Sequence, residues 1–188
     1  VGTYITLMNS VSRHQLTTVG SLYMDNIHDL DLLCWYLGKL PVSVRASGFR
    51  GGDLELSSDP NVSDVEIAFE GNLLANIHFD YVQFPQVHTN HIVGDKAWGE
   101  IDFQTNLHTV GKLGGEAVTE KVPIERDDLY RSEWASFIDA VKTGGKPSSP
   151  PEGAILPTLL TEAIIASYLE KREVTVAELL EKYHIHTI

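Results

Sequence analysis

Cysteine is almost absent from this chain, and so is positive charge. One thiol, Cys34, stands among 188 residues, which excludes an internal disulfide framework and a zinc site built on several thiolates. Cys34 sits in an apolar stretch, as a small buried hydrophobe of a reducing compartment would. Fourteen Lys and Arg against 26 Asp and Glu leave a net charge of −12. That balance argues against nucleic acid or an anionic membrane surface as the main partner. No run of about 18 consecutive apolar residues appears and no signal-peptide pattern, so the expectation is a soluble, cytoplasmic protein.

Several catalytic signatures are missing too. No Gly-x-Ser-x-Gly occurs, so an activated serine has no elbow to sit on. Gly51-Gly52, Gly114-Gly115 and Gly144-Gly145 lack the strand, Gly-x-Gly-x-x-Gly, helix order of a dinucleotide site, and there is no Walker lysine. No cofactor site is therefore expected in this chain. Eight histidines raise the question of a metal, and a stand-alone acidic metal-binding domain is one reading. However, His88 and His91 stand three apart in strand-like sequence and would point to opposite faces. His184 and His186 share a face only near the chain's end. No metal is expected.

What is present is a pattern of strands and a few helices. Gly2–Val11 reads as a strand. Apolar positions from about Asp25 to Leu37 follow a helical period that Gly38 ends. Pro41–Phe49 reads as a strand, and Val62–Phe84 as a hairpin turning at Glu70-Gly71-Asn72. Further strands are expected over Val87–Val93, Trp98–Phe103 and Ala117–Val122. Two helices follow. One carries Tyr130, Trp134, Phe137, Ile138 and Val141 as a stripe, with Asp127 as N-cap and Gly144 as stop. The other carries Leu156, Leu159, Leu160, Ala163, Ile164 and Ser167. This order predicts an α+β domain spanning residues 1–188: an open, largely antiparallel β-sheet with helices on one face. The other face would be wet or covered by a partner.

The chemistry centres on "MDNIHDLDLLCWYLG", residues 24–38. At about 100° per residue, Ile27, Leu30, Leu33, Cys34 and Leu37 share one side of a helix, and His28, Asp31 and Trp35 the other. A histidine beside a carboxylate in the first turn of a partly covered helix can act as an acid–base group. A histidine that merely satisfies local backbone groups is the alternative.

Four stretches, in this order, resemble the C-terminal domain of the glucose–fructose oxidoreductase/inositol dehydrogenase/MocA (Gfo/Idh/MocA) family. They are "VGSLYMDNIHDLDLLCWYLGKLPVSVRA", "NHIVGDKAWGEIDF", "LYRSEWASFIDAVKTGGKP" and "AILPTLLTEAIIASYLEKREV", which together span nearly the whole chain. The resemblance implies the substrate-binding and oligomerisation domain of an NAD(P)-dependent oxidoreductase acting on a hydroxyl of a sugar, polyol or similar small molecule. It implies His28 as the proton-handling residue, with Asp25 or Asp31 orienting it. Arg13 and His14 become further substrate-binding candidates, with Gln86 and His88 after them. It also implies a homo-oligomer formed through the sheet face. NAD or NADP would bind an N-terminal Rossmann domain, whose Gly-rich fingerprint and Glu-Lys-Pro lysine are not in this sequence. The chain starts at Val1, directly in strand-like residues, as a piece of a longer protein would, and alone it should be inactive. Two positions depart from the pattern. Met24 stands where many members have a carboxylate one turn before the histidine, and Val19 replaces the first of two glycines. A non-catalytic binding or assembly protein on the same scaffold is the reading that Met24 favours.

Overall fold

The computed structural model describes residues 3–9, 26–52 and 59–186, the first of these segments in its backbone alone. Nine strands form one sheet: β1 (Thr3–Asn9), β2 (Pro41–Phe49), β3 (Val62–Phe69), β4 (Leu73–Asp80), β5 (His88–Val93), β6 (Ala97–Asp102), β7 (Leu107–Lys112), β8 (Ala117–Lys121) and β9 (Val174–Thr175). Their order across the sheet is β8-β7-β6-β5-β1-β4-β3-β2-β9. Only β1 and β4 run parallel; every other neighbouring pair is antiparallel. The helices are α1 (Ile27–Leu37), α2 (Arg126–Thr143), α3 (Ile155–Glu170) and α4 (Val176–Lys182), with a 3-10 turn at Pro151–Ala154. The expected open α+β sheet is what the chain adopts.

Period-two patterning decides which face is covered. In register, Val44 and Ala46 of β2 oppose Ile67 and Val65 of β3, which oppose Ala75 and Ile77 of β4. All six are buried, and with Leu30, Leu33, Leu159, Leu160, Ala163 and Ile164 of α1 and α3 they form the core. The alternate positions Arg45, Asp64 and Glu66 are exposed, and Asn76 and His78 are half-buried. No helix covers that second face among the described residues. Helix cover also stops short of one end of the sheet, where all five residues of β8 are exposed.

Pro151–Glu170 is long and apolar enough to cross a membrane by length and composition. Here its apolar side chains are spent on the core, with Leu159, Leu160, Ala163, Ile164 and Ser167 of α3 all buried. Ser167 also completes a strand edge. The short β9 pairs only Ser43 and Val44 of β2. Beyond it, the Ala46 N–H donates to Ser167 Oγ at 2.9 Å, and that hydroxyl donates onward to the Arg172 carbonyl.

Several boundaries differ from expectation. Helix α1 begins at Ile27 rather than Asp25, which lies outside the described residues. Helix α2 begins at Arg126, with Glu125 at its N-cap position; Asp127 is inside the first turn and supports it as a charge near the helix N-terminus. Strand β7 and helix α4 had no counterpart in the sequence reading. "LHTVGK" has few apolar residues because β7 lies at the thinly covered end of the sheet. Its Gly111 is required by packing, since the indole of Trp98 on the facing strand lies where a Cβ would be. α4 is only seven residues, capped by the Thr175 side chain accepting from the Glu178 N–H.

Burial pushes the Cys34 thiol up to about 12, with the Asp31 charge adding to it. Its folded value exceeds its unfolded one, so the protonated form is favoured by folding. The contribution is constant below about pH 9 and is lost as pH rises towards 12. Over that window wild-type protein should lose about 1.4 kcal/mol of stability per pH unit that Cys34→Ala does not lose, measured by urea unfolding at stepped pH. Ser167→Ala, which orphans the Ala46 N–H, should cost about 1–3 kcal/mol at neutral pH. A loss under about 0.3 kcal/mol would show that the strand edge needs no such partner.

Candidate functional site

Helix α1 presents two chemically different sides. His28 and Asp31, one turn apart, are both exposed, as is Trp35 one turn further on. With Ile27 and Leu32 they form one wall of a hollow of about 810 Å³. The other wall is the segment from Ser148 to Pro157, where Ser148, Ser149, Pro150, Gly153, Ala154 and Pro157 face the helix. The apolar frame with one imidazole, one carboxylate and two hydroxyls is the composition of a small polar-ligand site. Ile27, expected on the core side, instead edges this hollow, because α1 is turned so that its buried side reaches round to residue 29.

That buried side is partly polar. Asp29 is 3% exposed and its Oδ1 lies 2.9 Å from His88 Nε2 on β5. An ionised carboxylate only accepts, so the imidazole donates from Nε2. The His88 ring is also stacked on Phe103, centroids 4.4 Å apart. One turn back on α1, buried Asn26 accepts from the Tyr81 hydroxyl just past β4, at 3.2 Å. Two turns on from Asp29, burial pushes the Tyr36 phenol up, the neighbouring Asn90 amide partly offsets this, and the Asp29 charge adds to it. Asn90 is fully buried, and neither of its amide atoms has a hydrogen-bond partner; it lies beside the Tyr36 hydroxyl without completing a bond. Asn26, Asp29 and Tyr36 thus form a ladder that fixes α1 over the ends of β4 and β5.

Of the residues picked out from sequence, the structure brings His28 and Asp31 together on one wall. Arg13, His14 and Asp25 lie outside the described residues. Gln86 is exposed in the turn before β5 and does not line the hollow. His88 is held by Asp29 and is likewise not among the lining residues. As expected, His88 and His91 diverge, His91 packing edge-on against Trp98 on the sheet's other face. Asp29, Trp35 and the Ser148–Pro157 wall were not picked out. The available signal for Asp29 was "HTNHIV", where His88 and Asn90 alternate with Ile92 on the helix-covered side and so call for a polar partner.

The described residues do not fit a dinucleotide. Gly51-Gly52 follows a strand but opens no helix, Gly114 turns the β7–β8 hairpin, and Gly144 ends α2 in a left-handed conformation. None sets backbone N–H groups at a helix start, where a pyrophosphate would be held.

No protein-family model matches the sequence, and no curated protein matches it. Solved structures do share its fold. An oxidoreductase from Agrobacterium radiobacter in complex with NAD+, L-tartaric acid and magnesium superposes with a TM-score of 0.78 at 15% identity, over 95% of this chain and 57% of that one. A levoglucosan dehydrogenase in complex with NADH and levoglucosan gives 0.74 at 14%, over 93% and 58%. The aldose-aldose oxidoreductase from Caulobacter crescentus, complexed with glycerol, gives 0.74 at 18%, over 93% and 55%. At these identities the likeness is one of fold: this chain has the Gfo/Idh/MocA-like fold of sugar oxidoreductases. It spans a little over half the length of each.

The Asp29–His88 pair should be energetically coupled. A cycle of Asp29→Ala, His88→Ala and the double variant, followed by urea unfolding, should give a coupling of about 1–2 kcal/mol. A value under about 0.3 kcal/mol would mean that the contact does not hold α1 in place.

Proposed function

We propose that this chain is the substrate-binding and oligomerisation domain of an NAD(P)-dependent oxidoreductase acting on a hydroxyl of a sugar, polyol or similar small molecule. The observation that carries this reading is the exposed His28, with Asp31 one turn away, on the wall of a large hollow in a fold shared with sugar oxidoreductases. His28 accepts the proton of the reacting hydroxyl as the C–H bond gives up its hydride. Asp31, on the same side of α1, favours the imidazolium that results. Ser148 and Ser149 offer hydroxyls to sugar oxygens, and Trp35 offers an apolar ring face to the C–H side of a sugar. The nicotinamide cofactor that takes the hydride is held by a domain other than this one, because no residue group described here fits its phosphates.

Oligomerisation through the sheet is supported by its uncovered face. That face is polar and charged at Arg45, Asp64, Glu66 and His78, and it extends to Trp98 and His91. A self-complementary contact across it would bury a surface that the chain's own helices leave open.

The test is turnover by the full-length protein, screened against sugars and polyols with NAD+ and NADP+. With the best substrate, His28→Ala should lower kcat by about 10²- to 10⁴-fold and move KM by less than about threefold. Asp31→Asn should lower kcat by a smaller factor. An unchanged kcat in His28→Ala would remove the proton-handling role. Failure to oxidise any of the panel would instead favour a binding or assembly protein on this scaffold.

A further inference from the structure

Helix α2 is eighteen residues long and buries only Ala140. At about 100° per residue, Tyr130, Trp134, Phe137, Ile138 and Val141 fall within an arc of about 100°, the width of a core-facing stripe. Yet they are exposed, Trp134 by 63% and Val141 by 69%. A stripe of that kind on a helix with little else to stabilise it is the mark of a covered surface. One flank of α2 is already engaged: Ser148 N–H donates to Ser136 Oγ at 2.9 Å, and the two hydroxyls are bonded to each other. The stripe is the flank that this contact leaves open.

We propose that the apolar stripe of α2 is the docking surface for the cofactor-binding part of the oxidoreductase, an inference that rests on the reading above. Three observations select this occupant. More than two fifths of each solved counterpart has no equivalent in this chain, and two of those proteins hold NAD+ or NADH, for which no cradle exists among the residues described here. The stripe is also continuous with the His28 hollow. Ser148 and Ser149 line that hollow and also a smaller one under Trp134 and Phe137, so a body seated on α2 would reach the mouth of the His28 site. Finally, a net charge of −12 disfavours seating a second copy of the same chain on an apolar helix.

The arrangement has a mechanical consequence. The chain from Pro147 to Pro150 joins α2 to the wall opposite His28, so whatever seats on α2 also sets the width of the substrate site.

Maleimide labelling tests the proposal. Val141→Cys lies on the stripe and Asp139→Cys on the opposite side of the helix; the native Cys34 thiol, at about 12, contributes little background. In the full-length protein, Val141→Cys should be labelled at least tenfold more slowly than in the 188-residue chain, while Asp139→Cys reacts equally in both. Equal rates at Val141→Cys would overturn the proposal. So would protection in the 188-residue chain that deepens with its concentration, which would make a second copy the occupant, or a gene encoding nothing beyond these residues. Protection without sugar oxidation would leave the docking surface standing and remove the proposed activity. Turnover with an unprotected Val141→Cys would do the reverse.

Discussion

A buried carboxylate on α1 governs the orientation of everything the helix shows to solvent. Asp29 is the one acidic side chain placed under the helix rather than on it, and taking a charge out of water is tolerated only with a strong partner. His88 supplies that partner from β5, held flat against Phe103. Asn26 and Tyr36 extend the polar contact along the same side of the helix. Apolar packing through Leu30 and Leu33 would accept a range of rotations of α1 about its axis, since hydrophobic contacts are not directional. The ladder of polar contacts accepts very few. With residue 29 turned inward, residues 28, 31 and 35 must turn outward, and the imidazole arrives at the hollow because its neighbour is anchored.

The sheet shows a second division of labour. Its β2–β4 half is a two-layer structure in which α3 supplies the apolar mass and Ser167 the only hydroxyl needed to close the strand edge. Its β6–β8 half has strands but no helices above them, and its side chains are correspondingly mixed. Val110 and Val118 face each other across β7 and β8, both more than half or half exposed, where a covered sheet would hide them. The two halves have different tasks: one holds the helices that build the site, and the other offers surface.

How far the sequence disclosed this depends on which physical rule was at work. Period-two alternation placed β2 at its observed limits and β3, β4, β5 and β6 within a few residues. Gly38 and Gly144 ended their helices where a left-handed residue is needed. Those rules are local. β7 was missed because a strand with little cover carries no apolar alternation, and α4 because seven residues give too few turns to show a period. In the site, the grouping of His28, Asp31 and Trp35 was legible, being a matter of helical spacing alone. The Asp29–His88 bond was not, since it joins residues 59 positions apart and depends on β5 lying beside β1. Nor was the second wall of the hollow, which comes from a Pro- and Ser-rich stretch that reads as a plain linker.

The α2 stripe carries the lesson furthest. Read from spacing, it promised a helix packed on the core, and the helix formed while the packing did not. The same five side chains that ought to be buried are exposed, so the pattern was selected for a surface that these residues do not themselves provide. A buried core position and a docking position leave the same imprint on sequence, because both answer to removal from water; only the fold tells them apart. On α2 it does so decisively, for the core is already closed by α1 and α3 and has no vacancy that Trp134 or Phe137 could fill.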